Sequence, residues 1–187
     1  LGSTNQSATT YINLNPDTIY YFKVKISTHG DNAYSSPISS RTLGNLFPSI
    51  WTSPYTYSTR VSWGDYDNDG DLDQLVANYD LTNRVFRNDG NGTFNLAWNS
   101  AQTDSTYAIA WGDYDLDGDL DQLVGSWANS QPRRLYRNNG DNTFTVTWNS
   151  PETDNTHFVS FGDYDNDGDL DQLIGTCNGN ITDRIYR

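Results

Sequence analysis

Cationic side chains are scarce in this sequence. Eleven Lys and Arg stand against 24 Asp and Glu, for a formal net charge of −13. A chain this acidic has no electrostatic footprint for DNA or RNA and would be repelled by anionic membranes. No run of about 18 apolar residues occurs, so no transmembrane helix is expected. Cys177 is the single cysteine, which rules out an intramolecular disulfide. Methionine is absent altogether, and no sustained 3.6-residue apolar period points to helix. The chain opens at Leu1 without a signal peptide and ends in "RIYR", which reads as mid-repeat, so a piece of a longer protein is expected.

Catalytic constellations are missing too. There are two histidines. His29 lies in the "STHGDN" turn, and His157 precedes a strand, where a surface role outweighs that of a base. No nucleophile elbow is present. Cys177 has no histidine partner in the sequence pattern and reads as a semi-buried thiol. The expectation is a non-catalytic protein.

What the chain has in abundance is aromatic residues, 13 Tyr, 7 Phe and 6 Trp, and with Thr and Val these favour strands. It also repeats. "WGDYDNDGDLDQL" at 63–75 recurs as "WGDYDLDGDLDQL" at 111–123 and "FGDYDNDGDLDQL" at 161–173. "VFRNDGNGTFNLAWNS" at 85–100 matches "LYRNNGDNTFTVTWNS" at 135–150. Each unit divides into four short strands; in the second these are 106–112, 121–127, 133–138 and 143–148. Asn/Asp/Gly clusters such as 88–92 and 138–142 close the hairpins. Four strands in a unit of about 50 residues is the pattern of a β-propeller blade. "LFPSIWTS" at 46–53 resembles the fourth strand, with Phe47 and Trp51 spaced as Phe94 and Trp98. The expected fold is all-β: a partial propeller of about three four-stranded blades, with units near 46–105, 106–155 and 156–187, the last cut short.

Residues 1–44 differ. Tyr20, Phe22, Val24 and Ile26 alternate as in a half-buried strand, and Leu14, Pro16, Thr18 and Tyr20 form L-x-P-x-T-x-Y. That pattern resembles the tyrosine corner of a fibronectin type III sandwich, and 34–43 resembles its last strand. The resemblance implies the C-terminal part of such a domain before the repeats at 45–187.

Fifteen of the 24 acidic residues fall in the three Asp loops. In the first, Asp65, Asp67, Asp69, Asp71 and Asp73 occupy positions 1, 3, 5, 7 and 9, with Gly70 at position 6. Asp113, Asp115, Asp117, Asp119 and Asp121 follow in the second loop, and Asp163, Asp165, Asp167, Asp169 and Asp171 in the third. A Ca²⁺ ion takes six to eight hard oxygen ligands, and alternate carboxylates in a tight loop can converge on one centre. Position 7 offers its carbonyl, its side chain turning away. Without a cation the carboxylates would repel and raise one another's pKa values. About three Ca²⁺ ions are expected, one per loop. An EF-hand would need Glu at position 12 and flanking helices; Val76, Val124 and Ile174 stand there, between strand-like flanks. Ligated carboxylates such as Asp67 and Asp73 are not free for glycoside hydrolysis.

On these loops the repeat resembles the FG-GAP/VCBS family, the calcium-binding repeats of integrin α-chain propellers and of many bacterial extracellular proteins. The resemblance implies a secreted or cell-surface module for adhesion or recognition, whose partner is an extracellular protein or a glycan. A carbohydrate-binding propeller and an accessory region of a secreted enzyme are the alternatives. Trp51, Trp98, Trp148, Trp63 and Trp111 recur in register, as blade-to-blade packing does. Trp127 and Tyr79 occupy a position that varies between repeats, and with the 128–132 loop they are the weaker ligand candidates.

Overall fold

The computed structural model describes 51–128, 130–177 and 182–187 in full, together with Ser49 and the backbone of four short strands between 19 and 41. The chain divides into two units, Leu1–Ile50 and Trp51–Arg187.

In the first unit β1 (Ile19–Phe22) pairs antiparallel with β4 (Ile38–Arg41), and β2 (Lys25–Thr28) pairs with β3 (Asp31–Tyr34). Of the strand expected through Tyr20–Ile26, the parts on either side of Lys23 and Val24, which lie outside the described residues, have different partners. Leu14, Pro16 and Thr18 of the corner pattern lie outside the described residues.

The second unit is all-β among its described residues. Sheet one runs β5 (Ser58–Gly64), β6 (Asp73–Asn78), β7 (Arg84–Asn88), β8 (Phe94–Asn99), each antiparallel to the next. Sheet two repeats this with β9 (Thr106–Gly112), β10 (Asp121–Ser126), β11 (Arg134–Asn138) and β12 (Phe144–Asn149). Sheet three holds β13 (Thr156–Gly162), β14 (Asp171–Thr176) and β15 (Arg184–Tyr186). These are the strands the repeat pattern implies, to within a residue or two. The first strands of successive sheets lie side by side, β5 against β9 and β9 against β13, as the innermost strands of propeller blades do.

Two apolar layers join the sheets. Between the first and second, Tyr66, Leu75 and Val85 meet Ile109, Trp111 and Phe144. Between the second and third, Leu123 and Leu135 meet Val159, Ile174 and Phe161. β10 is covered on both faces and buried along its whole length, which is why "DQLVGS" carries no polar-out alternation; Asp121 is satisfied by two backbone N–H groups, whereas the Gln122 side-chain amide has no hydrogen-bond partner.

The recurring first-strand aromatic packs across blades. Trp111 lies so close to Gly64 that a Cβ there would sit 2.7 Å from its Cδ1, and Phe161 crowds Gly112 in the same way at 2.4 Å. The "WG" and "FG" pairs are thus interlocking parts: each aromatic needs a glycine on the preceding sheet. Trp63 belongs to the first sheet of this unit and is 56 % exposed. Of the segment expected to form an orphan fourth strand at 46–52, Trp51 and Thr52 are not in a sheet, and 46–48 and Ile50 lie outside the described residues. Even so, the Trp51 ring meets Phe86 and Phe94 at 5.4 and 5.2 Å, as Trp98 meets Tyr136 and Phe144 at 5.5 and 5.0 Å.

Candidate metal centres in the aspartate loops

Each Asp loop connects the first strand of a sheet to the second, so all three lie at the same end of their blades. The loop backbone is set by two left-handed residues. Position 6 is Gly70, Gly118 or Gly168, with φ of 94°, 96° and 97°, where a side chain would be strained. Position 4 is also left-handed: Asn68 at 58°, Leu116 at 60° and Asn166 at 60°. Asn tolerates this conformation; Leu does so at a cost.

Within that frame the side chains divide into three classes. Positions 1, 3 and 9 converge. Asp65, Asp67 and Asp73 bring carboxylate oxygens within 4.8 Å of one another, as do Asp113, Asp115 and Asp121, and Asp163, Asp165 and Asp171. Position 5 stands outside these triads. Asp69, Asp117 and Asp167 each use Oδ1 to accept the N–H of position 7, at 2.9, 3.0 and 3.1 Å, closing the turn. Position 7 points its carboxylate elsewhere: Asp71 Oδ2 lies beside Gly90 in the β7–β8 hairpin, and Asp119 meets Asn68 of the first loop and Gly140 of the β11–β12 hairpin.

Position 1 organises the loop through its backbone. Asp65 accepts the N–H groups of Asp69 and Gly70 at 3.1 and 3.0 Å, and Asp163 those of Asp167 and Gly168 at 3.2 and 3.1 Å. Asp113 accepts Gly118 N–H at 3.0 Å. Position 9 forms the floor. Asp73 and Asp121 are 0 % exposed and Asp171 is 4 % exposed. Asp73 accepts Tyr66 N–H and Asn88 N–H at 3.1 and 2.8 Å, and Asp121 accepts Tyr114 and Asn138 at 3.0 and 2.8 Å. These asparagines were legible in the sequence only as hairpin residues. Their recurrence as "RN" at 87–88 and 137–138 is the signal that they do something more.

The loop environment disfavours the carboxylate anions. Burial pushes the Asp73 carboxyl up to about 6 and that of Asp121 to about 7, even though two backbone N–H groups favour each anion. Asp67 and Asp115 are raised as well, first by burial and then by Asp69 and Asp117 beside them. Buried Tyr66 is pushed up to about 12, with the Asp67 and Asp73 charges adding to desolvation. Asp67 Oδ1 and Asp113 Oδ1 are buried oxygens with no hydrogen-bond donor. No described Lys or Arg pairs with a carboxylate of the first two loops; in the third, Arg187 reaches Asp165 and Asp167 at 3.0 and 2.6 Å. An all-oxygen donor set with unused buried lone pairs fits a hard divalent ion.

The FG-GAP-like repeat pattern matches residues 65–124 and 126–174, more than half of the chain. The chain belongs to the FG-GAP-like repeat family. Both matched stretches contain Asp loops, and repeats of this family are of extracellular type. No curated protein matches the chain significantly. No helix among the described residues is long and apolar enough to cross a membrane.

The two weaker ligand candidates separate. Trp127 follows β10 and stands against Tyr107 and His157, with ring centroids at 5.1 and 4.4 Å. Tyr107 and His157 themselves lie 5.4 Å apart, and the Arg60 guanidinium sits 4.3 Å above the Tyr107 ring. Tyr79 is 47 % exposed and stays outside this cluster; its N–H donates to Tyr57 O at 3.2 Å. Cys177, at the matching position of the third sheet, is exposed. Asn129 of the adjoining loop lies outside the described residues.

Proposed function

We propose that this chain is a calcium-braced, non-catalytic recognition module of a secreted or cell-surface protein. The observation that carries the reading is the triad at positions 1, 3 and 9, built three times with a buried carboxylate as its floor. In each loop those three side chains and the position 7 carbonyl would hold the ion; position 5 would join through its second oxygen. Bound Ca²⁺ supplies positive charge, and it would neutralise carboxylates that otherwise cost stability. Extracellular modules of this kind bind calcium with Kd of about 0.1–1 mM, matched to a millimolar environment. At ten times Kd each ion adds roughly 1.4 kcal/mol to folding by mass action.

The test is thermal melting and calorimetric titration of the 187-residue chain. Calcium is expected to raise Tm by several degrees, with three ions bound, and chelator to lower it. No uptake of calcium, with one melt in both buffers, would overturn the reading. Asp67→Ala is expected to remove one ion and leave two.

The aromatic cluster of Tyr107, Trp127 and His157 favours a carbohydrate as the recognised ligand over a protein. Partly exposed rings from neighbouring blades stack on sugars, and Arg60 and His157 supply donors at the edge. A glycan array with wild type and Trp127→Ala separates the two. Ahead of the repeats, the reading of a fibronectin type III remnant rests on the L-x-P-x-T-x-Y pattern alone.

A further inference from the structure

Position 4 reaches from one cation loop into the next. Asn68 Nδ2 donates to Asp119 Oδ1 at 2.8 Å and to Gly118 O at 3.3 Å, so one amide holds positions 6 and 7 of the second loop. Position 7 is where the backbone carbonyl faces the ion in the calcium reading. A second amide makes a parallel bridge. Asn138 Nδ2 donates to Tyr66 O, position 2 of the first loop, at 2.8 Å, while its own N–H donates to Asp121 Oδ1, the floor of the second triad. Two asparagines thus tie the first loop to the parts of the second that would touch its ion.

From the second loop to the third, position 4 changes chemistry and not backbone. Leu116 has φ 60° where Asn68 has 58°, yet its side chain has nothing to donate, and it is 60 % exposed. No hydrogen bond joins Leu116 to Gly168 or Asp169, the counterparts of Gly118 and Asp119. Local preference runs the other way, since Asn suits a left-handed residue better than Leu. At position 4 the two junctions therefore differ in one side chain, and among the described residues no amide repeats at Tyr114 O the bridge that Asn138 makes to Tyr66 O.

We infer that Asn68 couples the first two cation loops, so that their ions bind cooperatively, whereas the third loop fills independently because Leu116 breaks the chain of amides. The inference rests on the calcium reading. An ion in the first loop fixes positions 2 to 4, which hold Asn68 and the Tyr66 carbonyl against the second loop. That loop then loses less freedom when its own ion arrives. The coupling is reciprocal by linkage, so the second ion strengthens the first by the same factor. Asn68 is a positioning residue, acting on the second ion through Gly118 and Asp119.

The test is calorimetric titration with CaCl₂ of the 187-residue chain carrying Asp165→Ala, which leaves the first two sites. The expected Hill coefficient is above 1. Asn68→Gly, which keeps the backbone angle, and Asn68→Leu, which copies the second loop, are both expected to lower it toward 1, the Asn138 bridge remaining, and to weaken binding about five-fold. Asp67→Ala is expected to weaken the second site in the Asn68 background and to weaken it less in Asn68→Gly. Leu116→Asn in the wild-type chain is expected to draw the third ion into the cooperative set. Melting curves confirm that each variant is folded. Two ions bound with no change in slope or affinity in either Asn68 variant would overturn the coupling and leave the calcium reading intact. No calcium uptake by the wild type would overturn both.

Discussion

The first and second blades carry the same strands and solve one problem in different ways. The third-strand arginine of the second blade, Arg134, is paired with Asp104, and the corresponding Arg184 reaches Asp154 at 2.6 Å. Arg84, their counterpart in the first blade, is 8 % exposed, and its Nε and Nη1 have no hydrogen-bond partner. Counting from the recurring tryptophans, Tyr57 stands where Asp104 and Asp154 stand, and Tyr55 where Gln102 and Glu152 stand. The Tyr55 ring takes the guanidinium at 4.0 Å instead. The neighbouring contact changes in step. Tyr136 and Tyr186 donate to Gln102 and Glu152 at 2.8 and 2.5 Å, whereas Phe86 meets the Tyr55 ring at 5.9 Å. One blade edge is held by ions and hydroxyls, the other by a cation–π contact and tilted rings. A repeat constrains the backbone and leaves the chemistry of its edge contacts open, provided the partners change together.

The largest way to break that comparison is to remove the arginine from each blade. Arg134→Ala leaves Asp104 buried without its cation and is expected to cost about 3–5 kcal/mol. Burial already pushes the Asp104 carboxyl up, and Arg134 is the main influence opposing it. Arg84→Ala abandons no carboxylate and loses mainly packing and the ring contact, about 1–2 kcal/mol. Urea unfolding of the two variants measures the gap. Equal losses would mean that the ion pair is not what distinguishes the blades.

A second, intermediate effect is pH dependence, where both blades should behave alike. Asp73 and Asp121 have folded-state pKa values of about 6 and 7, above the unfolded value of 3.8. The ion-free folded chain therefore holds more protons than the unfolded one between about pH 4 and 7, and its stability falls as pH rises through that window. In chelator, melting temperature is expected to drop from pH 5 to pH 7.5. With saturating calcium it should not, because the ion replaces the protons. A chelated melt that rises with pH would contradict the buried floor in both loops.

The smallest effect sharpens the comparison. Tyr55→Glu gives Arg84 the acidic residue that Glu152 provides in the third blade. It exchanges a cation–π contact for a partly exposed ion pair, and a change within about 1 kcal/mol is expected. A loss well beyond that would assign the Tyr55 ring a packing role that an ion pair cannot replace.

Much of this molecule is legible in its residues. The recurring Asp loops, the Asn/Asp/Gly hairpins and the Phe-x-x-x-Trp strand locate all eleven strands of the second unit, because each strand announces itself by a local pattern. Alternation in the loop predicts that positions 1, 3, 5 and 9 converge; the structure gathers 1, 3 and 9 and turns the Oδ1 atom of position 5 into the loop itself. Alternation places carboxylates on one side, but it cannot say which of them the turn will consume. Trp127 was singled out for its irregularity, whereas its neighbours Tyr107 and His157 come from the start of two different first strands, and only the side-by-side packing of β9 and β13 brings them together.

The sequence by itself determined the repeat, the strand order within each blade, and the donor chemistry of the loops, since these depend on contacts between residues close in the chain. The tertiary structure decided what crosses from blade to blade: Trp111 on Gly64, Asn68 on Asp119, Asn138 between Tyr66 and Asp121, and the depth at which Asp73 and Asp121 are buried. Apart from the step from Asn138 to Asp121 within the second blade, those contacts span about 50 residues and more along the chain, and no local preference encodes them. They exist because sheets packed face to face bring equivalent positions of neighbouring repeats within reach of one another.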